Sequence, residues 1–226
     1  MPKGIFIVIE GSDGSGKGTQ FKIIGDRLKE QGHEVATYDF PQYDQESSYF
    51  VREYLNGKYG DANELGAYVP SLFFALDRFQ ASQSIKKDLE AGKIVLSNRL
   101  TGANLAHQGQ KIDDETEKTK YYDWLYDLEF NILGIPKPDI NIVLLVPAEI
   151  AQKLVDKKTA RTYTDKKRDI HEADLNHLER SVAAYKKLCE QFPEQFIAIE
   201  GVQGDILLPI PEVTELIWHK IKSKIQ

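Results

Sequence analysis

The run Glu10-Gly11-Ser12-Asp13-Gly14-Ser15-Gly16-Lys17-Gly18-Thr19 constrains this chain more than any other stretch. It carries the spacing G-x-x-x-x-G-K between two readable elements. Before it lies a β-branched apolar run, Ile5–Glu10; after it, Phe21, Ile24 and Leu28 recur at helical spacing up to Gln31-Gly32. Gly11, Gly14 and Gly16 admit backbone conformations that a side chain forbids, so successive N–H groups can converge on phosphate oxygens. The helix that follows aims the positive end of its dipole at the same anion. Lys17 is placed to neutralise a transferring phosphoryl group. A ligand-free glycine turn would need neither the lysine nor the strand–loop–helix setting, so residues 11–19 are predicted to hold a nucleoside triphosphate. One departure matters. Gly18 follows Lys17, and the hydroxyl comes one residue later, at Thr19. A single residue turns a helical side chain by about 100°, so Thr19 is expected off the usual position of the magnesium-binding hydroxyl.

The rest of the chain repeats the strand–helix alternation. Val35–Phe40, Ile94–Ser97, Ile140–Val146 and Phe196–Ile199 are near-continuous apolar runs, as parallel strands covered on both faces require. Helical stripes are marked by Leu72, Phe73, Leu76, Phe79 and Leu89 behind Pro70, and by Leu175, Leu178, Val182 and Tyr185. A third, at Trp124, Leu125, Leu128 and Ile132, stops at Gly134 and Pro136-Lys137-Pro138. The fold class is α/β, a five-stranded parallel sheet with helices on both faces. With 226 residues, no internal repeat and no linker-like stretch, one domain over 1–226 is expected. A net charge of -6 argues against a nucleic-acid partner. Cys189 is the single cysteine, which excludes an intramolecular disulfide and fits a reducing compartment. The apolar runs are too short to span a bilayer and Met1 opens no signal-peptide layout, so no membrane partner and a cytoplasmic location are expected. His33, His171, His177 and His219 lack metal-ligand spacing and read as surface residues.

Four further segments stand in register with the glycine loop. They are Asp39-Phe40-Pro41-Gln42-Tyr43, Leu72-Phe73-Phe74-Ala75-Leu76-Asp77-Arg78, Ser97-Asn98-Arg99-Leu100-Thr101-Gly102-Ala103-Asn104, and Leu133-Gly134-Ile135-Pro136-Lys137-Pro138-Asp139. In this order and spacing the five resemble thymidylate kinases, from Ile5 to about Leu188. The resemblance implies a P-loop nucleoside monophosphate kinase fold with a mobile lid at about 156–170. It implies transfer of the γ-phosphoryl of ATP to dTMP, giving dTDP and ADP, with Mg2+ as cofactor. It also implies a homodimer packed through helices that flank the sheet. The aromatic-rich helix Tyr121–Phe130 is one candidate for that contact, and a buried core face explains it equally well.

Carried over residue by residue, the resemblance makes Phe40, Pro41, Tyr43 and Leu55 the walls of a thymidine pocket and Phe74 the ring on which the base stacks. Such a stack is worth about 1–3 kcal/mol. Arg78, one turn further along the same helix, serves the base. Arg99 clamps the acceptor's 5′-phosphate, a task that suits a guanidinium fork, and Asn104 and His107 complete the acceptor side. Asp13 stands between donor and acceptor, on the sugar 3′-hydroxyl or in the magnesium shell; Asp13 and Asn98 are the metal candidates, through water. Taken alone, Phe74 between Leu72 and Leu76 would be core, and Arg78 beside Asp77 a surface ion pair. Register with the other segments reverses both readings.

The stretch Asp156–Arg168, dense in Lys, Arg, Thr and Asp, is a solvated loop by composition alone. The resemblance makes it the lid. Some members carry an arginine directly after the loop aspartate, where this chain has Gly14. Catalytic positive charge then falls to the lid, to Arg161 ahead of Arg168, which completes a set with Lys17, Asp13 and Arg99. Glu172 contacts Asp13 or the sugar, or complements a helix dipole. Two more positions depart from the family pattern. Asn98 replaces an aspartate, which predicts weaker hold on magnesium and slower turnover. His107 replaces a tyrosine beside the sugar, which puts discrimination against ribonucleotides in question. Two alternatives stay open: a related kinase for another pyrimidine nucleotide or a deoxynucleoside, and a nucleotide-binding protein impaired in turnover.

Overall fold

The computed structural model describes residues 3–61, 64–156 and 175–225. Five strands form one parallel sheet: β1 (Ile5–Gly11), β2 (Val35–Asp39), β3 (Ile94–Asn98), β4 (Ile140–Leu145) and β5 (Phe196–Glu200), in the order β2-β3-β1-β4-β5. Each begins within a residue of its apolar run; β1, β3 and β4 are buried along nearly their whole length and so have no polar side to interrupt the pattern, while the edge strands β2 and β5 keep exposed positions. The register sets Ile9 beside Asn98, Gly11 beside Leu144 and Asp39 beside Asn98, so the carboxyl ends of β1, β2 and β3 lie together. In an open parallel sheet that edge is where ligands bind.

Alternate residues of β1 feed two cores. On one face Ile7 and Ile9 meet Ile24 and Leu28 of α1 (Lys17–Glu30) and Ile217 and Trp218 of α8 (Ile210–Ile221). On the other, Phe6 and Val8 meet Ile85 and Leu89 of α3 (Tyr68–Glu90). A third cluster joins Val143 and Leu145 to α4 (Thr101–His107), α5 (Glu115–Tyr126) and α7 (Leu175–Gln191). The short helices α2 (Tyr49–Leu55), α4 and α6 (Ala148–Asp156), with the small hairpin β6 (Val202–Gln203)–β7 (Ile206–Leu207), complete the described α-helices and strands.

Two expectations are changed. The helix at 124–132 is not continuous: α5 ends at Tyr126 and a π-helical stretch covers Asp127–Ile132. The extra residue per turn rotates Glu129 into the interior, where it is fully buried. His177 is no surface residue; it faces His107 inside the molecule and is 6% exposed. Of the aromatic segment at 121–130, Tyr121, Tyr122 and Leu125 are buried in the core. The lid expectation, with Arg161, Arg168 and Glu172, lies outside the described residues from 157 on. Among the described residues no helix is long and apolar enough to cross a membrane.

Candidate active site

The glycine loop leaves β1 at Gly11 and enters α1 at Lys17. Gly16 precedes the helix at φ 85° without a side-chain cap, so the first-turn N–H groups are left for a ligand. Gly14 sits at φ 80°, and a Cβ there would lie 2.1 Å from the carbonyl oxygen of Ala151 in α6. No side chain fits, which is the physical reason this loop carries no arginine. Ser12 and Ser15 are buried, and their hydroxyls meet no hydrogen-bond partner among the described residues. Gly18 and Thr19 are exposed. Lys17 is buried; its Nζ donates to the carbonyl of Ser12 at 3.1 Å and stands 3.4 Å from Asp13 Oδ1. Beyond the lysine the loop borders a cavity of about 360 Å³, closed on its far side by Leu154, Leu207, Ile210 and Val213. Sequence reading assigned nothing to these aliphatic residues, since their only signal is the cavity itself.

Across the loop stands Arg99, the residue after β3. Its φ is 67°, left-handed and unusual for a side-chain-bearing residue. The turn is held by the Arg99 N–H on the carbonyl of Ile9 at 2.9 Å and by the Ser97 hydroxyl on the Arg99 carbonyl at 2.7 Å. Nη2 donates to Asp13 Oδ1 at 2.7 Å, while Nη1 meets His107 Nε2 at 2.9 Å and Tyr185 Oη at 3.4 Å. Burial alone would pull this guanidinium down, but Asp13, Tyr185 and Glu10 carry it above its ordinary value, so it is a fixed cation. Glu10 is the hidden support. Its Oε1 accepts the N–H groups of Leu100 and Ala103 at 2.8 and 3.2 Å, and its Oε2 the Tyr185 hydroxyl at 2.9 Å. Burial pushes the Glu10 carboxyl up, against Arg99 and these hydrogen bonds. Burial and the Glu10 charge also push the Tyr185 phenol up. Neither residue was singled out from sequence; Glu10 had a signal, as an acid at the end of a buried strand.

The remaining acceptor-side residues divide between two clusters. Tyr43, Leu55 and Phe74 are brought together around Tyr54, whose ring meets that of Phe74 edge-on at 6.2 Å. Phe40 instead lies in the core under α3, 3% exposed, and Pro41 after it is half-buried. Arg78 is 2% exposed and makes a bidentate pair with Glu129, Nε to Oε2 at 2.8 Å and Nη2 to Oε1 at 2.5 Å. Thr101 Oγ1 donates to the same Oε2 at 2.7 Å. Asn104 ties α4 to α3 through its amide on the Ser71 carbonyl at 3.1 Å.

For a hard cation the site offers oxygen donors only. Asn98 Nδ2 is spent on Asp39 Oδ1 at 2.8 Å, and its Oδ1 is buried without a hydrogen-bond partner among the described residues. That orphaned oxygen, with the carboxylate of Asp13, fits magnesium held through water and donor phosphates rather than in a protein cage. Among the described residues no group of three or more His, Cys, Asp or Glu side chains could hold a metal by itself.

A family model described as thymidylate kinase matches residues 9–205. The chain belongs to the thymidylate kinase family. A thymidylate kinase of Mycobacterium tuberculosis is 32% identical over 190 residues, 83% of this chain and 86% of that one. A probable thymidylate kinase of Thermococcus gammatolerans is 31% identical over 228 residues, 98% and 100% of the two chains. Among solved structures, a thymidylate kinase from Candida albicans superposes with a TM-score of 0.72 at 23% identity, over 98% of this chain and 92% of that one. That likeness supports the fold. Within this fold Lys17 of the glycine loop and Arg99 after β3 meet at the same oxygen of Asp13.

Proposed function

We propose that this thymidylate kinase family member moves the γ-phosphoryl of ATP to dTMP, giving ADP and dTDP. One observation carries the reading. Lys17 and Arg99, from opposite walls, approach the same Oδ1 of Asp13 at 3.4 and 2.7 Å. A phosphoryl group passing between two phosphates needs cations on both sides, and here a carboxylate oxygen sits between them. The exposed N–H groups of the loop and Lys17 would orient the donor, with its base among Leu154, Leu207 and Ile210. Arg99 would orient the acceptor phosphate for in-line attack, and Phe74 would stack on the pyrimidine. Asp13 and Asn98 would hold magnesium through water; when bound, the ion neutralises charge on the transferring phosphates. Positioning and electrostatics supply most of the acceleration, since phosphoryl transfer leaves little covalent chemistry to the protein. Arg161, ahead of Arg168, is the candidate to add a further cation in this reading; both lie outside the described residues.

The test is ADP release measured by a coupled assay across nucleosides and nucleoside monophosphates. Release is expected with dTMP; release with thymidine and not dTMP rejects the reading. We further propose a homodimer built on α3. Val69, Leu72, Leu76 and Phe79 recur at helical spacing along one face, and each is between 38 and 48% exposed. A stripe of that kind is what a monomer avoids and a partner covers. Leu76→Glu, which places a charge in its middle, is expected to yield monomers by sedimentation; a dimer surviving that change points to another face.

A further inference from the structure

Behind Arg99 lies a buried polar relay. Arg99 can only donate, so its 2.9 Å contact makes His107 Nε2 the acceptor, and the imidazole carries its hydrogen on Nδ1. That N–H faces α7, with Ser181 Oγ at 3.2 Å and His177 Nε2 at 3.4 Å. The Ser181 hydroxyl donates to the carbonyl of His177 at 2.8 Å, which leaves its lone pairs to His107 and to Gln110 Nε2 at 2.9 Å. Ser181 is fully buried and both histidines are at least nine-tenths buried. We propose that His107 is a positioning residue: its unprotonated Nε2 aims the Arg99 guanidinium at the acceptor phosphate, and Ser181 and His177 hold it in that tautomer.

The proposal rests on the kinase reading above and deepens it. Asp13 holds Nη2 of Arg99 and His107 holds Nη1. An arriving phosphate dianion competes with the Asp13 carboxylate for Nη2, while the neutral imidazole still fixes Nη1, so the fork need not swing. A proton on Nε2 would set one N–H against another and put a cation beside a cation. Arg99 faces the ring directly, and His177 and Tyr185 face it from α7, the Tyr185 ring 5.8 Å away. Asp13 and Glu10 stand behind Arg99 and Tyr185.

The experiment compares wild type, His107→Gln, His107→Ala and Ser181→Ala by KM for dTMP and kcat at pH 8. Glutamine offers an acceptor oxygen without a titration. At pH 8, His107→Ala is expected to raise KM about tenfold, the low end for a lost hydrogen bond to a charged group, with kcat much less affected. His107→Gln should stay near wild type and Ser181→Ala should fall between. Nitrogen-15 spectra of the free protein, labelled at histidine, should show His107 protonated on Nδ1 only at pH 8. Equal KM values for the Gln and Ala variants, or a proton on Nε2 at pH 8, overturns the proposal. The spectra read the relay without turnover, so a chain that phosphorylates no monophosphate would sink the kinase reading alone. Should His107→Ala not fold, the KM values of the Gln and Ser181→Ala variants and the spectra still decide.

Discussion

Replacing Glu129 by glutamine tests the most deeply buried charge pair around the site. Arg78 is 2% exposed and Glu129 fully buried, and the two share a bidentate contact at 2.8 and 2.5 Å. The amide keeps one oxygen but loses the charge, and it turns an N–H₂ donor toward a guanidinium that can only donate. The guanidinium cannot shed its proton, so its charge stays buried without a counterion. Breaking one side of such a pair costs about 3–5 kcal/mol, and because glutamine keeps one acceptor we place the loss at about 3 kcal/mol. Against a total of about 5–15 kcal/mol for a domain, that is a large fraction. With a urea slope of about 3 kcal/mol/M at this size, the midpoint should fall by about 1 M. The double variant Arg78→Met/Glu129→Leu replaces both charges by apolar volume and should recover most of the loss. If Arg78 also serves the base, that stable double variant should bind dTMP more weakly. A single variant within about 1 kcal/mol of wild type would refute the energetic argument. A stable double variant with the wild-type KM for dTMP would leave Arg78 a purely structural role.

Three other outcomes are expected. Gly14→Ala, whose Cβ would meet the Ala151 carbonyl at 2.1 Å and which sits at φ 80°, should lose ATP binding by calorimetry while the fold survives by circular dichroism. Asn98→Asp should raise kcat at limiting magnesium, since a full carboxylate holds the ion's waters better than an amide; unchanged magnesium dependence would remove Asn98 from the metal shell. Lys111 donates to Tyr54 Oη at 2.9 Å and to the Gly66 carbonyl at 3.0 Å, and burial pulls it down to about 8 despite Asp61. Above that value the native state has released a proton that the unfolded chain, at 10.5, still binds. Stability should therefore rise between those two pH values relative to Lys111→Met, and a parallel pair of urea midpoints from pH 7 to 10 would contradict the depressed lysine.

The sheet was legible because burial on both faces writes a strand as an unbroken apolar run; Ile5–Gly11 and Ile140–Leu145 need no partner to be recognised. The glycine loop was legible because its spacing encodes a backbone shape. What escaped depends on contacts distant in sequence. α2, α4 and α6 are seven, seven and nine residues long, too short for periodicity to register. The π-helical stretch that turns Glu129 inward follows an apolar stripe with no interruption to announce it. His177 sits one turn before Ser181 on a helix whose spacing says only which residues share a face, so its burial against His107 needed α4 in place. The stripe on α3 was visible as Leu72, Leu76 and Phe79, but sequence could not say that the core takes the other face.

Arg99 shows how such distant contacts make a site from a motif. α4 has seven residues and no side-chain cap of its own, far below the length at which a helix persists alone. Glu10, from the strand that carries the glycine loop, supplies the missing cap by accepting from Leu100 and Ala103. The approach is close enough that a Cβ on Gly102 would lie 2.8 Å from the same carboxylate oxygen, so a glycine is required there. The turn between β3 and α4 must then pass through Arg99 in the left-handed region, a conformation that costs about 1–3 kcal/mol outside glycine. The buried Glu10 and Tyr185 offset that cost, and the result directs the guanidinium back over the loop toward Asp13. One strand thus ends in the glycine loop and, through its last acid, orients the turn that carries Arg99. Coupling both halves of the site to β1 fixes their separation more tightly than two independent loops could.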